Sequence, residues 1–152
     1  MNSPDAASLA RHDSLGYQVN HLGRLLAQGL RRRTEGLGVV PGQFAQLLAL
    51  YEEDGLTQRE LCDRVRIEQP TMASTLQRME RDGLVERVPD PDDRRRARVM
   101  LTDQSRRIET DLTTAARKVN SVATEGLSKA EVEAFMATLD KLISNLESRH
   151  AS

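Results

Sequence analysis

The chain has 152 residues, a length that favours one domain, and its 22 lysines and arginines against 23 aspartates and glutamates leave a net charge of -1. That balance does not by itself announce a nucleic-acid binder, so distribution matters more than the sum, and arginines cluster at 31–33 and 94–98. A single cysteine excludes an intrachain disulfide, Met1-Asn2-Ser3-Pro4-Asp5 lacks the basic and apolar regions of a signal peptide, and no apolar run is long enough to span a bilayer, so a cytoplasmic protein with no membrane partner is expected.

Asp13 or Ser14 is placed to cap a long first helix in which Leu15, Val19, Leu22, Leu26 and Leu30 recur at helical spacing, ending near Gly36 and Gly38. Pro41 then starts a second helix, with Phe44, Leu47, Leu48 and Tyr51 inward and Gly55 closing it. This helix is the expected floor on which the third and fourth helices pack. The third opens at Thr57-Gln58-Arg59-Glu60, where the Thr57 hydroxyl can cap a free N–H, Glu60 can reach back to the cap residue, and Leu56 and Leu61 form a hydrophobic staple. Arg66-Ile67-Glu68-Gln69 interrupts the pattern. Pro70, tolerated in a first helical turn, restarts it as a fourth helix that runs to about Asp82 and ends at Gly83. Residues 84–88 read as a strand, 89–93 as a turn and 97–101 as a returning strand, with Arg94, Arg95 and Arg96 at the hairpin tip.

The fourth helix carries Met72, Leu76 and Met79 as one buried stripe. Its opposite face carries Gln69, Thr71, Ala73, Ser74, Gln77 and Arg78, short hydrogen-bonding groups with one arginine and little bulk. Such a face fits a major groove, where amides pair with adenine, hydroxyls with several bases and guanidinium with guanine. A polar helix face alone, or an arginine run alone, is ordinarily just solvated. The order of capped helix, short break, polar-faced helix and arginine-tipped hairpin is that of a winged helix-turn-helix, and it points to double-stranded DNA.

Thr102 can cap a fifth helix with Ile108, Leu112, Ala115, Val119 and Val122 on one face. Ser128-Lys129-Ala130-Glu131 is a second capping box, stapled by Leu127 and Val132. It opens a sixth helix with Val132, Phe135, Met136, Leu139, Leu142, Ile143 and Leu146 along one stripe, more apolar surface than a small core can cover. The expected fold is therefore mostly α with a small β-hairpin wing. In one domain over 1–152, residues 39–102 form the DNA-binding region, and 13–38 and 103–150 form N- and C-terminal dimerisation helices of an intertwined homodimer.

Leu61-Cys62-Asp63-Arg64-Val65, Pro70-Thr71, Leu76, Gly83-Leu84-Val85-Glu86-Arg87, Asp90-Pro91-Asp92-Asp93-Arg94-Arg95 and Val99-Met100-Leu101-Thr102 together resemble the MarR family of bacterial transcription regulators. The wing pattern Asp-Pro-x-Asp-x-Arg followed by Val-x-Leu-Thr is the most specific part. The resemblance implies a dimeric repressor of a pseudo-palindromic operator, tuned by a small ligand or by oxidation. It also implies that Arg95 enters the minor groove and that Asp93 orients it. Arg66 departs from the pattern, standing where many members have glycine in the turn.

The effector is unnamed by the sequence, with Tyr17 and His21 on the first helix as candidate ligand residues. Cys62 reads as a small core residue; a thiol redox-responsive regulator acting through it, and a winged-helix protein-interaction module, are the alternatives. No glycine-rich phosphate loop, Gly-x-Ser-x-Gly elbow or metal-spaced Cys/His cluster is present, and His12, His21 and His150 are scattered. No catalytic residue, metal or cofactor is therefore expected. Asp92 and Asp93 read as turn formers and an arginine clamp rather than as acid/base groups.

Overall fold

The computed structural model describes residues 8–151, so the Met1 to Asp5 stretch lies outside it. After a 3-10 turn at Arg11–Asp13, the helices are α1 (Leu15–Arg33), α2 (Pro41–Glu52), α3 (Gln58–Val65), α4 (Gln69–Arg81), α5 (Asp103–Arg107), α6 (Glu109–Ala123) and α7 (Lys129–His150). The strands are β1 (Leu56–Thr57), β2 (Val85–Pro89) and β3 (Ala97–Leu101), forming one antiparallel sheet in the order β1-β3-β2.

Side-chain caps set the helix starts. Ser14, not Asp13, caps α1, its hydroxyl accepting from Tyr17 N–H at 3.2 Å. Thr57 caps α3 by accepting from Glu60 N–H at 3.2 Å, but the Glu60 carboxylate accepts from the Thr57 hydroxyl at 3.1 Å instead of reaching its backbone. Ser128 and Glu131 form the complete reciprocal box at α7, at 3.1 and 3.4 Å. At the end of α4, Gly83 takes φ +75° and Leu84 N–H closes the helix on Met79 C=O at 2.9 Å. That bond commits Leu84 to the helix, and β2 begins one residue later than the sequence pattern suggests.

The core lies under the helix-turn-helix: Leu47, Leu50, Leu56, Leu61, Met72, Leu76, Met79, Leu84, Val99 and Leu112 are all essentially inaccessible to solvent. The inward face of α2 differs from expectation. Leu47 is buried as expected, but Phe44, Leu48 and Tyr51 are only half-buried, and Gln43, Gln46, Ala49 and Leu50 lie deeper. Gln43 tolerates this because both ends of its amide are bonded, Oε1 accepting from Val40 N–H at 3.2 Å and Nε2 donating to Asp82 at 2.9 Å. A second polar knot is Asp54, whose Oδ1 accepts from Gly55 and Leu101 N–H at 2.9 and 2.8 Å while Oδ2 accepts from Arg106 at 2.7 Å. Through it the end of α2, β3 and α5 are tied together.

The expected fifth helix is two. Ile108, at φ -92° and ψ 0°, separates α5 from α6. The short α5 is fastened to the sheet side by Ser105, fully buried and donating to Leu84 C=O, and by Tyr51, whose hydroxyl donates to Ser105 C=O at 2.7 Å. Burial, then Glu109, pushes the Tyr51 pKa up to about 12, so it remains a donor throughout the physiological range. α6 packs instead on α1, where Gly29 lets the two approach so closely that a Cβ would stand 3.3 Å from Val119. The bend at Ile108 reconciles the two attachments. Even so, neither α1 nor α7 holds a fully buried residue; α1 half-buries Leu26, Ala27, Gly29 and Leu30.

Candidate nucleic-acid interface

α4 is oriented by what it buries. Met72, Leu76 and Met79 are fully inside, which forces the opposite face outward: Gln69, Thr71, Ser74, Gln77 and Arg78 are exposed and Ala73 is half-buried. Pro70 sits in the first turn, and the backbone starts with Met72 N–H bonded to Glu68 C=O at 3.0 Å. Ser74, Gln77, Arg78 and Arg81 line a shallow polar depression of about 560 Å³. The exposed face of α4 carries no carboxylate before Glu80, and Glu80 is neutralised by Arg87 of β2.

Two supports of this face escaped the sequence reading. Gln58 of α3 donates from Nε2 to Gln69 Oε1 at 2.9 Å, and Arg87 donates to Gln58 Oε1 at 3.4 Å while also holding Glu80. At the other end, Asp82 lies 4.0 Å from Arg78 and accepts from buried Gln43. The Arg78–Asp82 pair has helical i,i+4 spacing, but no periodicity announces the bonds of Gln58 to Gln69 and Arg87 or of Gln43 to Asp82, which join residues 11 to 39 apart.

The hairpin tip is organised by Asp90, not by Asp93. Asp90 is buried; its Oδ1 accepts from Asp92 N–H at 2.9 Å and Arg98 at 3.4 Å, and its Oδ2 accepts from Arg96 at 2.7 Å. The Asp92 N–H bond, then Arg96 and Arg98, hold its carboxyl below the usual range against the opposing pull of burial. Asp93, expected to orient the Arg95 guanidinium, instead accepts from the Arg95 backbone N–H at 3.0 Å. Asp92 does act as a clamp, 3.7 Å from Arg98. Among the arginines grouped at the tip, Arg96 is turned onto Asp90, whereas Arg94 and Arg95 are exposed and form no ion pair among the described residues.

Tyr17 and His21 stack on α1 with centroids 6.4 Å apart, but they line none of the cavities described along the α1–α6 seam. One of these is a mostly apolar groove of about 560 Å³ that includes Leu22, Leu26, Val119 and Val122. Below it, Leu30, Pro41, Phe44 and Asn120 line a smaller cavity of about 240 Å³ between α1, α2 and α6. Cys62 is buried in the core, and burial, then Asp63, raises its thiol pKa, the opposite of what a reactive thiolate needs.

A capped helix, a turn, a second helix with one buried and one polar face, and an arginine-bearing hairpin define a winged helix-turn-helix protein. The model of the MarR family matches residues 36–96. The uncharacterized HTH-type transcriptional regulator YsmB of Bacillus subtilis is 30% identical over 82% of this chain and 85% of its own length. The HTH-type transcriptional repressor NicR of Pseudomonas putida is 27% identical, covering 97% of this chain and 98% of the relative. In three dimensions the chain is similar to the PcaV transcriptional regulator from Streptomyces coelicolor, solved in complex with its natural ligand, with a TM-score of 0.82, 27% identity and coverage of 91% and 97%. The chain belongs to the MarR family of transcriptional regulators.

Proposed function

We propose that this protein is a sequence-specific repressor that binds double-stranded DNA as a homodimer, placing α4 of each copy in a major groove of a pseudo-palindromic operator and each wing in the adjoining minor groove. The observation that carries the reading is the division of α4: three fully buried apolar residues fix the helix, and Gln69, Thr71, Ser74, Gln77 and Arg78 stand open on the other side. Arg94 and Arg95, uncompensated at the wing, supply the phosphate and minor-groove contacts. NicR, a named repressor, supports the direction of control. The fold's own anchor for pairing is the unburied apolar face of α1 and α7.

The effector's seat is the 240 Å³ cavity between α1, α2 and α6, because it joins the dimerisation helices to the floor of the DNA-binding lobe. An occupant that favours one packing of α2 against α1 changes the spacing of the two α4 helices, and operator affinity falls by population shift. A ligand-bound relative, PcaV, supports this reading. No helix among the described residues is long and apolar enough to cross a membrane, which fits a protein whose partners are DNA and its own copy. The test is selection of a duplex from a randomised library, followed by affinity across a salt series. A repressor of this kind loses affinity steeply and linearly in log salt. A winged helix used only for protein contact selects no duplex, and that result overturns the proposal.

A further inference from the structure

We infer that Gln58 and Arg87, neither of which lies on the reading face of α4, set which class of base Gln69 accepts. The inference rests on the reading of α4 as the base-contacting helix. An unconstrained glutamine presents an acceptor and two donors side by side and pairs bidentately with adenine. Gln69 is not unconstrained. Its oxygen is turned to α3, where Gln58 Nε2 donates to it at 2.9 Å.

The polarity of that bond is fixed from outside the pair. A guanidinium has donors only, so where Arg87 meets Gln58 at 3.4 Å the Gln58 atom there must be oxygen. The Gln58 amide then presents its NH2 to Gln69, and Gln69 must answer with its oxygen. Arg87 is itself immobilised by Glu80 of α4. The result is a directed chain of donors, Arg87 to Gln58 to Gln69, that engages the Gln69 oxygen toward α3 and leaves both N–H groups of Gln69 free to donate to the groove. Gln69 is the first residue of α4, the end of a recognition helix that comes nearest to base edges.

Donors in the major groove are matched best by guanine, with acceptors at both O6 and N7, and by thymine O4; adenine offers N7 alone beside an amine that itself donates, and cytosine offers only an amine. The wild-type chain therefore prefers a keto base at the position Gln69 touches. Gln58→Glu reverses the chain, because a carboxylate accepts from Arg87 and from Gln69 alike; Gln69 must donate inward and turn its oxygen out. The preference at that one position then switches to an amino base. Gln58→Leu removes the constraint and restores the bidentate pairing of Gln69 with adenine.

Selection from a randomised duplex library, with wild type and with Gln69→Ala, Gln58→Glu and Gln58→Leu, reads this directly. The expected result is a keto preference that Gln69→Ala abolishes, and in Gln58→Glu a switch at the same position on the order of tenfold, with the rest of the site unchanged. A purely structural role for Gln58 lowers affinity evenly across sequences and moves no preference. Retention of the wild-type preference in both Gln58 variants, or a selected site indifferent to Gln69→Ala, overturns the inference while leaving DNA binding intact. Failure of the wild type to select any duplex removes both.

Discussion

Arg78 and Arg95 carry the same charge in two different settings, and their substitutions should separate base reading from anchoring. Arg78 projects from the exposed face of α4 with Asp82 4.0 Å away, and on the proposed docking it is the residue expected to bond a guanine bidentately. Arg78→Ala should relax preference at one or two operator positions by about 1–3 kcal/mol each. Arg95 is exposed at the wing with its guanidinium unpaired, so Arg95→Ala should weaken binding to all sites and reduce the salt slope by roughly one contact per subunit. Affinities measured across a salt series, on the selected duplex and on one with G·C pairs under the wing, decide the matter. A salt slope untouched by Arg95→Ala but reduced by Arg78→Ala would reverse the assignment. The role of Asp93 was only half legible in the sequence, for a local reason. An Asp-x-Arg spacing suggests an ion pair, yet aspartates in turns commonly bond the backbone N–H two residues on, as Asp93 does to Arg95 and Asp90 to Asp92. The carboxylate that clamps guanidinium groups is six and eight residues from its partners, Arg96 and Arg98, and only the antiparallel hairpin brings them together.

The elements that the sequence made plain are those with both a period and a stop signal: α1, α3, α4 and α7 each start at or within a residue of the expected place. β1 was not legible, because two residues have no alternation; it exists through pairing of Leu56 and Thr57 with Val99 and Arg98. The buried face of α2 was misread since Gln43 enters the core with one end of its amide satisfied by Asp82, 39 residues away. The turn between α3 and α4 offers a test of local strain. Arg66 sits at φ 62° and ψ 47°, a left-handed conformation that a side chain disfavours, and its ion pair with Glu147 at 3.5 Å joins two groups more than half exposed. Arg66→Gly should raise stability in chemical denaturation by up to about 1 kcal/mol, since relief of strain exceeds the loss of a screened surface pair. A destabilised glycine variant would mean that the contact with α7 matters more than the backbone. The wing offers a test of charge. Asp90 titrates below its unfolded value of about 3.9, so its stabilisation is complete above that pH and is lost as pH falls through the lower folded value. Asp90→Asn keeps the bond from Asp92 but abolishes attraction to Arg96 and Arg98. Faster amide exchange should then appear, already at neutral pH, at the N–H of residue 90, which donates to Arg96 C=O at 3.1 Å, and at that of Arg96, which donates to Asp93 C=O at 3.2 Å. In wild type the same loosening should appear only in acid. Equal exchange in both proteins at neutral pH would show that the hairpin holds its shape without the clamp.

At the scale of the whole molecule, the question is what covers α1 and α7. Leu15, Phe135, Met136 and Leu146 are between 49% and 62% exposed in the single chain, on the two helices that hold no fully buried residue. Full burial of such side chains is worth about 1.5–3 kcal/mol each, so leaving a stripe of them in water is a substantial cost that a second copy removes. The ion pair from Glu147 to Arg66, an exposed contact of marginal worth, does not by itself hold a 22-residue helix in place. This arrangement makes a sharp distinction possible with Phe135→Asp and Leu146→Asp. In a monomer, each substitution lies on an exposed surface and should change stability by no more than about 0.5 kcal/mol. In a dimer that buries the stripe, each puts an unpaired charge into an apolar interface on both sides of the symmetry axis and should cost several kcal/mol. Operator binding should fall in step, because two half-sites about one helical turn apart need two linked copies of α4. Sedimentation of wild type and variants, paired with affinity for the selected duplex, measures both quantities on the same samples. Variants that sediment as wild type and bind as tightly would place the interface elsewhere; variants that become monomeric yet keep wild-type affinity would break the link between pairing and operator recognition.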